Sequence, residues 1–183
     1  MKSAIIFHGA EGMPGDNWFP WLKGELEKKG YTVHVPQFPS PPDVPAKIAE
    51  WWRVLSSFKV DEHAILVGHE LGGVFALRIL EKLDKPITGT FLVGTPIGEK
   101  PIKNYDRDLA FSGFMFSWLK IRKNSKRFAV FHSDNDPYVT LKNGEVLAES
   151  LGVELDLIPN AGNFDASSGC LEFPQLLEKI LNP

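Results

Sequence analysis

Cysteine is almost absent: Cys170 is the single one in 183 residues. No disulfide can form within the chain, which fits a reducing compartment, and a cytoplasmic location is expected. No apolar run approaches the ~20 residues of a membrane span. Met1-Lys2-Ser3-Ala4-Ile5-Ile6-Phe7 starts like a signal peptide, but the apolar stretch stops at His8-Gly9, too early for a signal h-region. Charge of one sign is not in excess either. A net charge of −3 gives no electrostatic reason to expect nucleic acid or an anionic membrane as partner. Internal repeats and low-complexity segments are missing, and no pattern calls for a metal or cofactor.

What is present is an ordinary globular composition, 43% hydrophobic and 23% charged, in a chain long enough to bury one real core. Short apolar runs alternate with helical periodicity. Strands are expected at 4–7, 31–35, 63–67, 87–93, 127–132 and 153–158. Helices are expected at 18–29, 46–58, 71–83, 141–151 and 173–181, the last with Phe173, Leu176, Leu177, Ile180 and Leu181 at i, i+3, i+4, i+7 and i+8. Residues 36–45 hold five prolines and must be irregular. Residues 94–126 are poorly periodic and aromatic, a loop with short helical pieces. Strands alternating with helices imply a single α/β domain over 1–183: about six parallel strands in the order 2-1-3-4-5-6, helices on both faces, and a short cap-like insertion around 95–125.

One stretch organises the rest. Ile65-Leu66-Val67-Gly68-His69-Glu70-Leu71-Gly72-Gly73 reads as a buried strand, a tight turn and the start of a helix. Gly68 and Gly72 flank position 70 with the spacing of the G-x-S-x-G nucleophile elbow of α/β-hydrolases, but Glu70 stands where the serine would be. Ligands of such sheets bind beyond the carboxyl ends of the strands. Those ends carry His8-Gly9-Ala10, Glu70, the Ser133-to-Val139 loop and the Pro159-to-Phe164 loop. In the chain order nucleophile, acid, histidine, Asp136 fills the acid slot. The last slot should read Gly-His, yet Gly162 is followed by Asn163.

The whole chain resembles the small serine hydrolases related to retinoblastoma-binding protein nine. The His8-Gly9 loop, the Trp18-x-Pro20-Trp21-Leu22 run, the Gly68-to-Gly73 elbow, Asp136 before Pro137, and Gly162-x-Phe164 fall in register with that family. The resemblance implies the α/β-hydrolase fold and a Ser–Asp–His ester-cleaving triad, of which only Asp136 carries over. It also implies that the Ala10 and Leu71 N–H groups form an oxyanion hole. Two positions differ inside an intact glycine frame, a pattern expected of an engineered or inactivated variant.

Ordinary structural roles compete at most of these positions. His69 and His132 are expected to be structural hydrogen-bonders, and Cys170 a small apolar side chain. Asp136 and Asn163 also suit plain turns. Phe111, Phe114 and Trp118 suit core as well as they suit the walls of a substrate pocket that would include His8 and Gly9. Without a hydroxyl at 70 or an imidazole at 163, serine acyl transfer is excluded. Burial would raise the pKa of Glu70 and the helix terminus would lower it; the helix is expected to win and leave Glu70 ionised. Three functions follow: Glu70 as a general base acting on a small molecule, a non-catalytic protein binding a small molecule or a protein, or Glu70 as a covalent nucleophile.

Overall fold

The computed structural model describes residues 2–40 and 46–182, so Pro41 to Pro45 of the proline-rich stretch lie outside the described residues. Six strands make one parallel sheet: β1 (Ser3–Phe7), β2 (Thr32–His34), β3 (Ala64–His69), β4 (Gly89–Val93), β5 (Phe128–His132) and β6 (Leu155–Leu157). Their spatial order is β2-β1-β3-β4-β5-β6, as the alternating pattern implied. The helices are α1 (Phe19–Lys28), α2 (Ile48–Leu55), α3 (Leu71–Leu80), α4 (Tyr105–Ser112), α5 (Trp118–Lys123), α6 (Leu141–Leu151) and α7 (Pro174–Leu181). None of them is long and apolar enough to cross a membrane.

The strands read as continuous apolar runs because both faces of the sheet are covered. Successive side chains still alternate. Ala4, Ile6, Ile65, Val67, Phe91, Val93, Ala129 and Phe131 face α1 and α7. Ile5, Phe7, Leu66, Leu92 and Val130 face the other layer, built from α2, α3, α4, α5 and α6. Each large side chain taken fully out of water there contributes about 1.5–3 kcal/mol.

Helix α3 is the centre of the second layer. Every residue in it is buried except Arg78, as a helix apolar on all sides must be. Periodicity suggested that it runs to Leu83, but it stops at Leu80. The Asn124 amide donates to the carbonyls of both Leu80 and Leu83, at 2.8 and 2.7 Å, and takes over the end of the helix. Arg78 does a related job for the segment after β4. Its guanidinium donates to the Ser112 and Met115 carbonyls and pairs with Glu81, tying the link between α4 and α5 to α3.

Candidate functional site

The elbow between β3 and α3 is built by close backbone contact. A Cβ on Gly72 would lie 2.3 Å from the Phe7 carbonyl oxygen, and one on Gly68 would lie 2.4 Å from the Gly73 Cα. Only hydrogen fits at either place, so the chain can reverse within two residues. Glu70 at the tip has φ +49° and ψ −119°, a conformation that costs a non-glycine residue about 1–3 kcal/mol. Its N–H donates to Val93 O at 2.9 Å, and its carbonyl accepts from Gly73 N at 2.9 Å. The Leu71 N–H, at the first helical position, has no partner among the described residues, as helix starts leave it.

The Glu70 side chain lies across Gly9, where an added Cβ would meet its Oε2 at 2.3 Å. This glycine, in the loop after β1, is what gives the carboxyl room. The Ala10 N–H is aimed at the carboxyl and lowers its pKa, as expected of an oxyanion donor. It does not prevail. Burial, chiefly, and then the neighbouring Asp108 and Asp136 push the pKa up to about 8, with Arg107 opposing. The expectation of an ionised Glu70 is therefore corrected. The first turn of one helix is outweighed by desolvation and two nearby acids, and the carboxyl is protonated at neutral pH.

Asp136 and Asn163 meet. Asn163 Nδ2 donates to Asp136 Oδ2 at 3.0 Å, while Asp136 Oδ1 accepts from the Tyr138 and Val139 N–H groups at 2.8 and 3.0 Å. The two loops are strapped along their length. Asp134, Ser133 and Asn135 accept from the N–H groups of Asn160, Ala161 and Gly162 respectively, at 2.8 to 3.0 Å. Two side chains from elsewhere hold the far side of the second loop. His69 Nε2 reaches Asn163 O at 2.7 Å, and Trp18 Nε1 donates to Phe164 O at 3.0 Å. Both belong to segments flagged in the sequence, Trp18 for the family run and His69 for the elbow. Burial holds the His69 pKa low, which leaves the ring a neutral hydrogen-bonder.

His8 is likewise a brace. Its Nε2 accepts from the Phe38 N–H at 2.9 Å, so the ring proton sits on Nδ1 and is donated to Gly9 O at 2.7 Å. Burial depresses its pKa. It stands behind the cleft and does not line it. His132 donates from Nε2 to Val139 O at 2.9 Å, bracing the turn after Asp136.

Glu70 and Asn163 open onto a polar cleft of about 260 Å³, lined also by Gly9, Ala10, His69 and Tyr138. The aromatic residues expected to wall it do not. Phe111 is buried with its ring 4.9 Å from that of Trp51, within the α2–α3 layer. Phe114 pairs with Tyr105, and Trp118 with Phe116. These rings turn inward because the sheet needs its second layer completed between α3 and α6. The wall consists instead of Lys103, Asn104 and Arg107, at the start of α4. Arg107 Nε bonds Asp108 Oδ1 at 2.9 Å, and Nη1 bonds Glu11 Oε1 at 3.3 Å. Nothing in the sequence marked these residues, because they fall in its least periodic part.

A family model described as serine hydrolase matches residues 4–182. The chain belongs to that family. It is 29% identical over 178 residues to the YdeN protein of Bacillus subtilis (strain 168), covering 94% of this chain and 91% of that one. It is 25% identical over 183 residues to serine hydrolase RBBP9 of Rattus norvegicus, covering 97% and 92%. The crystal structure of the ydeN gene product superposes with a TM-score of 0.87 at 26% identity, over 99% of this chain and 97% of that one. An α/β-hydrolase enzyme from a lagoon-sediment metagenome, MGS-MChE2, superposes at 0.71 with 22% identity, over 98% and 90%. The six-stranded order is the α/β-hydrolase fold.

Proposed function

We propose that this serine hydrolase family member has lost serine acyl transfer and that Glu70 acts as a general base on a small molecule bound in the former active-site cleft. The observation that carries this is the placement of Glu70. Its carboxyl sits on the elbow, at the floor of the cleft, in surroundings that raise its pKa to about 8. A carboxylate of that basicity is far stronger as a base than an ordinary one, and its pKa lies near the working pH, where general bases are most efficient. The Leu71 N–H, which has no partner among the described residues, supplies a donor for charge that develops on the substrate.

Asn163 takes the place of the triad histidine. Its amide holds Asp136 but carries no exchangeable charge, so two-step ester chemistry has no base. The same fact weakens Glu70 as a covalent nucleophile, since an ester on it would await a hydrolytic water that nothing activates. A protonated carboxyl is also a poor nucleophile. The two replaced positions in an intact frame fit an engineered or inactivated variant of the family.

The test is turnover of a benzisoxazole and of p-nitrophenyl esters, each as a function of pH. The expected result is benzisoxazole opening whose rate climbs about tenfold per pH unit and levels near pH 8, is abolished in Glu70→Gln, and has no ester counterpart. Turnover of neither substrate would favour a second reading, a non-catalytic binding protein. That reading is supported by the Asp136–Asn163 contact, which leaves the old triad satisfied and inert.

A further inference from the structure

The charged groups of the cleft are not equally committed. Asp16 and Asp165 both line it, but each is turned to its own loop. Asp16 Oδ2 accepts from the Met13 N–H at 2.8 Å. Asp165 Oδ1 accepts from the Ser168 N–H and from the Ser167 and Ser168 hydroxyls, at 2.7 to 2.9 Å. Glu70 is neutral near pH 7 and adds no charge there. On the opposite wall, Lys103 has no carboxylate partner among the described residues. Its backbone is pinned by a 2.9 Å bond to Tyr138 O, and its ammonium sits 4.3 Å from the Tyr138 ring centroid, beside the Asp136 turn. Arg107 is braced from behind. Asp108 holds Nε, and the Asn104 side-chain amide, turned so that its oxygen faces the guanidinium, accepts from both terminal nitrogens at 3.2 Å. Its remaining acid is Glu11, whose side chain is 51% exposed and free to swing into solvent.

We infer that the cleft takes a small anion, a carboxylate or phosphate group, held between Lys103 and Arg107 with Glu11 as the displaceable occupant. The geometry is that of a guanidinium already oriented by Asp108 and Asn104, with a compact ammonium lining the same cleft. An incoming anion replaces Glu11 on Arg107 and gives Lys103 its missing counter-charge. Glu11 then competes with the ligand, as a built-in carboxylate. The inference rests on the cleft being the ligand site of the proposed function, and it adds the charge of the ligand.

The experiment is calorimetric titration at pH 7 and constant ionic strength, with sodium malonate and with inorganic phosphate as probes and uncharged malonamide as control. The parent should bind at least one anion with one-to-one stoichiometry and should not bind malonamide. Lys103→Met should weaken that affinity about tenfold. Glu11→Gln should strengthen it several-fold, because the competitor loses its charge. Both positions are solvent-facing, and a thermal melt of each variant confirms that it is folded. No binding of either anion, equal binding of malonamide, or an affinity unmoved by Lys103→Met would overturn the inference. So would a Glu11→Gln variant that binds more weakly than the parent.

Repeating the titration in Glu70→Gln keeps the two proposals apart. Anion binding retained there, with benzisoxazole turnover absent from the parent, removes the base and leaves the anion site. Turnover in the parent with no anion binding removes the anion site and leaves the base.

Discussion

The elbow and the segment between β4 and β5 meet at one cleft, but they are built on opposite terms. The elbow is specified by what cannot be there. Gly68 and Gly72 admit no Cβ, β3 and α3 are buried except at Arg78, and Glu70 at the tip is held at φ +49°. The segment at 94–127 is specified by what it is tied to. Arg78 clamps its middle, Asn124 its end, and Arg107 its start. The first kind of specification is local and holds with a glutamate at the tip. The second is distributed, and it decides which charges face the ligand.

The sharpest test of the proposed loss of serine chemistry is to place a serine at position 70 and a histidine at position 163. Glu70→Ser with Asn163→His should give esterase activity on p-nitrophenyl acetate about 10³-fold or more above either single variant, because nucleophile and base act as a unit. The imidazole would start within reach of Asp136 Oδ2, where the amide now sits at 3.0 Å. Initial rates of the parent, both singles and the double decide it. A folded double variant no faster than the parent would mean that Asp136 and position 163 are not triad positions.

Stability separates the two regions next. Phe111→Ala should cost about 3–5 kcal/mol in urea unfolding, the price of a cavity beside Trp51 and Phe75. A pocket-wall residue would lose far less, so a cost under about 1 kcal/mol would return Phe111 to the cleft. Gly72→Ala should cost roughly 2–4 kcal/mol, since its methyl meets backbone at Phe7 and not a yielding side chain.

The pH dependence follows from Glu70. Its folded pKa of about 8 lies above the ordinary value of 4.5, so the folded state holds its proton more tightly than the unfolded chain. Stability from this group is full below pH 4.5 and is lost as pH rises through 8. The loss is on the order of a few kcal/mol once partial exposure at the cleft floor is allowed for. Thermal melts from pH 5 to 8.5 should show the parent falling relative to Glu70→Gln. Parallel curves would mean that Glu70 is not held protonated. The smallest effect is expected at Leu119, which is 75% exposed on α5. Leu119→Ser should change stability by no more than about 0.5 kcal/mol.

The sequence by itself determined the sheet, its strand order and the glycine-framed turn at position 70, and it picked out Asp136 and Asn163, whose side chains meet. These are written as apolar alternation, glycine spacing and chain order, all of which are local or one-dimensional. The helix end at Leu80 fell short of the periodicity because its limit is set by a tertiary partner, Asn124. The same holds for the ionisation of Glu70. A helix terminus can be read from sequence, but Asp108, which faces it from a helix nearly forty positions away, cannot. Lys103 and Arg107 came to wall the cleft, and Phe111 to leave it, only when the chain closed over α3. Burial and long-range charge depend on which surfaces meet, and that is decided by the fold as a whole.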